Sequence, residues 1–154
     1  MDEYRANKNI VFSCRYHVVW CPKYRRKVLT EDIAKRLREI IEELASPLNV
    51  DIIEMKIDKD SIHILIDVDP QFGVIKFIKL VKKRSSRVLR EEFTHLKTKL
   101  PTLWSNSSFI ATVGDLQPDA IRQYIENQQT SERQKEKHKW KEYLSALSKN
   151  PQGI

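Results

Sequence analysis

The chain has 154 residues, 28 Lys or Arg against 21 Asp or Glu, a net charge of +7 and two cysteines. That length suits one domain whose core needs no disulfide or structural metal to stand. No apolar run reaches the roughly 20 residues a membrane helix requires, and the basic balance favours an acidic partner, nucleic acid first among them.

In chain order, the opening MDEYRANKN lacks the apolar stretch of a secretory leader. Residues 10–20, IVFSCRYHVVW, alternate, with Ile10, Phe12, Cys14, Tyr16, Val18 and Trp20 to one side and Ser13, Arg15 and His17 to the other. That period of two predicts a strand with one buried face. Cys14 and Cys21 would lie roughly 23 Å apart along it, too far to bridge, which suits a reducing compartment and a soluble intracellular protein. The basic loop CPKYRRK (21–27) follows. Thr30 can cap a helix whose apolar residues Ile33, Leu37, Ile40, Ile41 and Leu44 recur at helical spacing and stop before Pro47. Residues 50–57 and 61–68 read as two strands of a hairpin turning at Asp58-Lys59-Asp60. A long helix is predicted over 74–97, a fourth strand over 107–113, and a helix opened by Pro118 that contains AIRQYIENQQ.

The order β-α-β-β-α-β-α predicts an α+β fold of the ferredoxin-like kind, an antiparallel sheet with two helices on one face and one helix appended. Residues 1–130 are expected to form this domain. Residues 131–154, with Trp140, Tyr143, Leu144 and Leu147 at helical spacing among basic residues, are expected to form an amphipathic extension.

Positive charge gathers in one place. Residues 71–100 hold nine basic residues against Glu91 and Glu92, an excess equal to the net charge of the whole chain. Lys76, Lys79, Lys83, Arg87 and Arg90 fall at steps of three and four, forming a stripe opposite the apolar side, with Lys82 and Arg84 beside it. Like charges at that spacing destabilise an isolated helix by a few tenths of a kcal/mol per pair, a repulsion that a polyanion would offset. Lys23, Arg25 and Arg26 make a second patch, with Tyr24 between them able to stack on an unpaired base.

Two further features are chemical. Alternation in 61–68 puts Ser61, His63, Leu65 and Asp67 on the face away from Ile62, Ile64, Ile66 and Val68, so a histidine stands on a mixed-polar sheet face. Tyr124 and Gln128, at i and i+4, place a phenol and an amide oxygen on one side of the last helix. Taken singly, a strand histidine is most often a hydrogen-bonded structural residue, and a tyrosine at helical spacing a packing one.

Together, RYHVVWCPKYRRKVL (15–29), DSIHILI (60–66), ATVG (111–114) and AIRQYIENQ (120–128) resemble, in order and spacing, the TnpA transposases of the smallest insertion sequences, members of the single-tyrosine HUH endonuclease superfamily. The resemblance covers roughly residues 10–130. It implies that Tyr124 is the nucleophile that cuts single-stranded DNA, leaving a 5′-phosphotyrosine and a free 3′-OH. His63 would be the second histidine of the HUH pair and Gln128 a further ligand of a divalent cation, Mg or Mn. It also implies recognition of DNA hairpins and a prokaryotic, cytoplasmic homodimer whose sheets join across the two-fold axis, with active sites shared between subunits.

One departure touches the chemistry: the first histidine of the pair is Ser61 here. A neutral hydroxyl in place of an imidazole weakens a divalent-metal site, and disturbing even the partners behind a ligand costs about 10–100-fold. The expectation is reduced metal affinity and weakened cleavage, unless Asp60 or a water held by Ser61 replaces the ligand. Two lesser departures are Lys83 in KKRSSR (82–87), where the family often has glycine, and Ser108, where an aromatic often precedes Phe109. Two other readings stand beside the transposase: a hairpin-binding dimer that no longer cuts, and a ferredoxin-like RNA-binding module. Against the latter, the chain has only three glycines and no aromatic, glycine-rich strand of the kind such modules use.

Overall fold

The computed structural model describes residues 4–113 and 124–126. Two short strands, β1 (Arg5–Ala6) and β2 (Val11–Phe12), pair with each other and precede β3 (Arg15–Trp20). Then come α1 (Glu31–Ala45), β4 (Asp51–Asp58), β5 (Ser61–Asp67), α2 (Val74–Glu92), α3 (His95–Lys99) and β6 (Phe109–Thr112). The four long strands form one sheet in the order β4-β5-β3-β6 with every neighbouring pair antiparallel. This is the ferredoxin-like arrangement the element order predicted.

One face of the sheet carries the main core. Val18, Trp20, Ile62, Ile64 and Ile66 from the two central strands meet Ile33, Leu37, Ile40 and Ile41 of α1 and Phe77, Ile78, Val81 and Leu89 of α2. The alternation of β5 is as expected, because a strand paired on both edges and covered on one face must bury every second side chain. In α1, Glu31 and Asp32 stand in the first turn, where negative charge suits the helix dipole. Thr30 occupies the N-cap position, but its hydroxyl makes no capping hydrogen bond.

Four features differ from expectation. The strand foreseen over 10–20 is broken at Ser13-Cys14, because Val11–Phe12 turn to pair with Arg5–Ala6 while Arg15–Trp20 join the main sheet. The helix foreseen over 74–97 ends at Glu92. Phe93 leaves helical geometry (φ −122°, ψ 80°), and the chain turns so that Leu96 of α3 becomes buried. The fourth strand is the shorter Phe109–Thr112. In β4 a bulge between Ile52 and Glu54 shifts the register, so Ile52, Met55 and Ile57 all reach the main core although their numbers change parity. Both cysteines are free thiols. Residues 131–154 and Gln128 lie outside the described residues, and no described helix is long and apolar enough to cross a membrane.

Candidate active site

The sheet face away from α1 and α2 carries the chemistry. His63, on central strand β5, brings its Nε2 to 3.3 Å from the Ser61 Oγ and 3.7 Å from Asp58 Oδ2. Ser61 is buried, and it pairs directly opposite Asp58 where the hairpin closes. His17 of β3 meets the His63 ring edge-on, with centroids 6.1 Å apart. Burial holds the pKa of both imidazoles below the usual 6.5; for His63 this outweighs the opposing pull of Asp58, and for His17 that of Glu54. Both rings are therefore neutral at pH 7, as a ligand imidazole must be.

Val19 links this cluster to the tyrosine. In the sheet register Val19 stands opposite His63 on one side and opposite Phe109 on the other. Directly opposed residues of a sheet share a face. On that face Tyr124 is fully buried in a small second core with Val19, Cys21 and Phe109, its ring 5.8 Å from the Phe109 ring. Its hydroxyl donates to the carbonyl of Ser107 at 3.0 Å. The described residues thus bring Tyr124 and His63 to one side of one sheet, separated by the width of β3.

Arg25 spans the gap from above. Its guanidinium donates to the carbonyl of Ile125, the residue after Tyr124, at 3.2 Å, while its Nε lies 3.4 Å from Asp60 Oδ2 in the hairpin turn beside Ser61. Tyr24 and Arg25 both adopt left-handed backbone (φ 59° and 51°) within the short turn Lys23–Arg25. Two consecutive non-glycine residues there cost on the order of 1 kcal/mol each. The arrangement sends Arg25 inward and leaves Tyr24 exposed, with the Lys23 ammonium 5.6 Å over its ring.

The basic residues divide into two kinds. Lys76, Lys79, Lys83, Arg84 and Arg87 are exposed along α2, and Arg26 is exposed in the loop. Lys79, Lys83 and Ser86 line a shallow depression with Asn106 beside Trp104, and Lys99 of α3 extends the loop patch at Arg26 and Lys27. Three others are engaged within the chain. Lys82 donates to the carbonyls of Ser105 and Ser107, both at 2.9 Å, Arg90 donates to that of Leu100, and Arg25 is held as above. A side chain at the right helical step still turns inward when unpaired carbonyls lie within its reach.

Sequence reasoning missed Asp58, His17 and the Ser107 carbonyl. The first two were within reach. His17 shares the parity of Val19, and Asp58 precedes a two-residue turn that sets it across from Ser61. The carbonyl has no sequence signal at all. Among the described residues no three His, Cys, Asp or Glu side chains gather at one point. The donors that converge are one carboxylate, one hydroxyl and one neutral imidazole, a set suited to a hard divalent cation such as Mg or Mn.

These features define a ferredoxin-like α+β protein that presents a tyrosine and a histidine on one sheet face beside a basic helix. The chain belongs to the IS200-like transposase family, whose model matches residues 10–128. It is 33% identical over 132 residues to the ISDra2 transposase TnpA of Deinococcus radiodurans, covering 84% of this chain and 94% of that one. It is 31% identical over 130 residues to the transposase of insertion element IS200 from Salmonella typhimurium, covering 83% and 85%. A crystal structure of a Deinococcus radiodurans protein described as a transposase superposes with a TM-score of 0.73 at 31% identity, covering 80% of this chain and 97% of that one. A REP-associated tyrosine transposase bound to a REP hairpin shares the fold, with a TM-score of 0.51 at 15% identity over 81% and 68%.

Proposed function

We propose that this transposase binds hairpin ends of single-stranded DNA and cuts and rejoins strands through a 5′-phosphotyrosine at Tyr124. The observation that carries the reading is the placement of Tyr124 and His63 on one sheet face with Val19 between them. Residues 1–130 act as the catalytic unit, with residues 131–154 as a docking extension. Lys76, Lys79, Lys83, Arg84 and Arg87, with Lys23, Tyr24 and Arg26, hold the DNA. Lys82, Arg25 and Arg90 hold the protein elements beneath it.

A phenol of pKa near 10 attacks poorly at neutral pH, so it needs a phosphate brought in line and relieved of charge. His63 and Ser61, with Gln128, would hold a divalent cation, Mg or Mn, that draws charge from the phosphate oxygens. In the chain as folded, Tyr124 is buried and its hydroxyl donates a hydrogen bond to the Ser107 carbonyl. Cleavage therefore requires the phenol to leave that seat, in keeping with a homodimer in which the tyrosine helix of one subunit serves the histidine of the other.

The test is to incubate the full chain with labelled single-stranded hairpin DNA and manganese. A denaturation-resistant adduct that vanishes in Tyr124→Phe is expected, and Ser61→His raises its yield about tenfold or more. Hairpin binding with no adduct in either the native chain or Ser61→His overturns the cleavage reading. An adduct in Ser61→His alone points to a hairpin-binding dimer that has stopped cutting, the second reading that Ser61 favours.

A further inference from the structure

We infer that Asp58 is a metal ligand of this chain, completing with Ser61 and His63 a carboxylate-hydroxyl-imidazole site in place of the histidine absent at position 61. The inference rests on the cation-assisted reading above and names the residue that sustains it here.

Three observations support it. Asp58 Oδ2, Ser61 Oγ and His63 Nε2 are mutually separated by 3.3, 3.5 and 3.7 Å. Ligands about 2.1 Å from one hard cation stand about 3.0 Å apart at right angles and about 3.4 Å apart at tetrahedral angles. The three atoms therefore need to close by only a few tenths of an ångström. Asp58 can supply that movement, since its side chain is 43% exposed.

The register explains why these three residues meet. Asp58 pairs with Ser61 and Lys56 with His63, so alternation turns Asp58, Ser61 and His63 to the same face. The other candidate carboxylate, Asp60, is directed to Arg25, with its Oδ2 3.4 Å from the guanidinium Nε. Asp58 has its Oδ1 toward Lys56 Nζ at 4.0 Å and its Oδ2 toward the serine and histidine.

The geometry also separates the cluster from a proton relay. In a relay the hydroxyl and the carboxylate contact opposite nitrogens of the ring. Here both approach the same atom, Nε2 of His63. Convergence of all three donors on one point is what a cation needs. A carboxylate adds negative charge that an imidazole lacks, offsetting part of what the serine gives up toward a hard ion.

The experiment is calorimetric titration of the full chain with manganese chloride, repeated by Mn(II) electron paramagnetic resonance, for the native protein, Asp58→Asn, His63→Ala and Ser61→His. Asp58→Asn is nearly isosteric at a half-exposed site, and its circular dichroism and melting curve should match the native chain. Manganese affinity should fall at least tenfold in Asp58→Asn and rise in Ser61→His, where the remaining dependence on Asp58 shrinks. As a check that needs no variant, manganese should broaden the backbone amide signals of residues 58–63 before others. Native-like affinity in Asp58→Asn together with loss in His63→Ala overturns the role of Asp58 and leaves the transposase reading intact. Absence of binding by the native chain also overturns it. In that case binding by Ser61→His preserves His63 as a ligand, and its failure there removes the cation-assisted reading as well.

Discussion

Tyr124 and Lys82 donate hydrogen bonds to the same acceptor, the carbonyl oxygen of Ser107, at 3.0 and 2.9 Å. The Tyr124 phenol is thereby tied to the strongly basic helix through a single backbone atom. Lys82 belongs to the structure of the 105–107 loop, while its neighbours Lys79 and Lys83 face solvent. Substituting Lys82→Met should lower stability by on the order of 2 kcal/mol, the cost of orphaned carbonyls that had accepted from a charged donor. Lys79→Ala should leave stability nearly unchanged and reduce the salt dependence of hairpin binding by roughly one counterion. Denaturant melts and binding isotherms across a salt series distinguish the two.

The buried phenol bears on subunit sharing. If one subunit's tyrosine serves the other's histidine, mixing Tyr124→Phe with His63→Ala should restore adduct formation in the mixed dimer, although neither variant forms it alone. Adduct assays on the mixture, after unfolding and joint refolding, measure this. No recovery would assign each tyrosine to its own chain, where it already shares a sheet face with His63.

Arg25 joins the hairpin turn to the tyrosine segment through Asp60 and the Ile125 carbonyl. Arg25→Gln should slow adduct formation by roughly 10–100-fold, because small misplacements of reacting groups are costly. Hairpin affinity should change by no more than one phosphate contact. Comparing single-turnover rates with equilibrium binding separates positioning from DNA contact.

The two imidazoles predict a pH dependence. His17 and His63 titrate below 6.5 in the folded chain because burial disfavours their charged forms. The unfolded chain therefore binds more protons over that interval, so stability falls as pH drops below about 6.5 toward the folded values and levels off above it. NMR titration of the ring protons should give values below 6.5 for both. His17→Gln together with His63→Gln should flatten the stability profile between pH 5 and 7.

Trp104 tests the core. Its indole lies edge-on to Trp20 at 5.8 Å and its Nε1 donates to the buried Ser85 hydroxyl at 2.9 Å. Trp104→Ala should cost about 3–5 kcal/mol, whereas Ser85→Ala should cost on the order of 1–3 kcal/mol by leaving that N–H unsatisfied. Chemical denaturation of each variant provides the check.

The elements were legible where one period dominated. The isoleucines of β5 and the apolar stripe of α1 appear where alternation and helical spacing put them. Boundaries were less legible because long-range partners set them. Val11–Phe12 left the predicted strand to pair with Arg5–Ala6, and α2 stopped at Glu92 so that Leu96 could be buried. A bulge such as that at Ile52–Glu54 has no local signature, since it exists only relative to the neighbouring strand.

Chemical identity was written in the chain: a serine and a histidine two apart on a strand, a tyrosine in AIRQYIENQ, and a basic stretch, residues 71–100, whose excess equals the net charge. Local alternation says which face of the strand Ser61 and His63 take. Tertiary structure decided which of them meet. Asp58 joins Ser61 and His63 because antiparallel pairing brings the two ends of a turn together. Lys82 and Arg25 turn inward because carbonyls from distant loops lie within reach. Such contacts depend on pairing and packing between segments far apart in sequence, which no local period encodes.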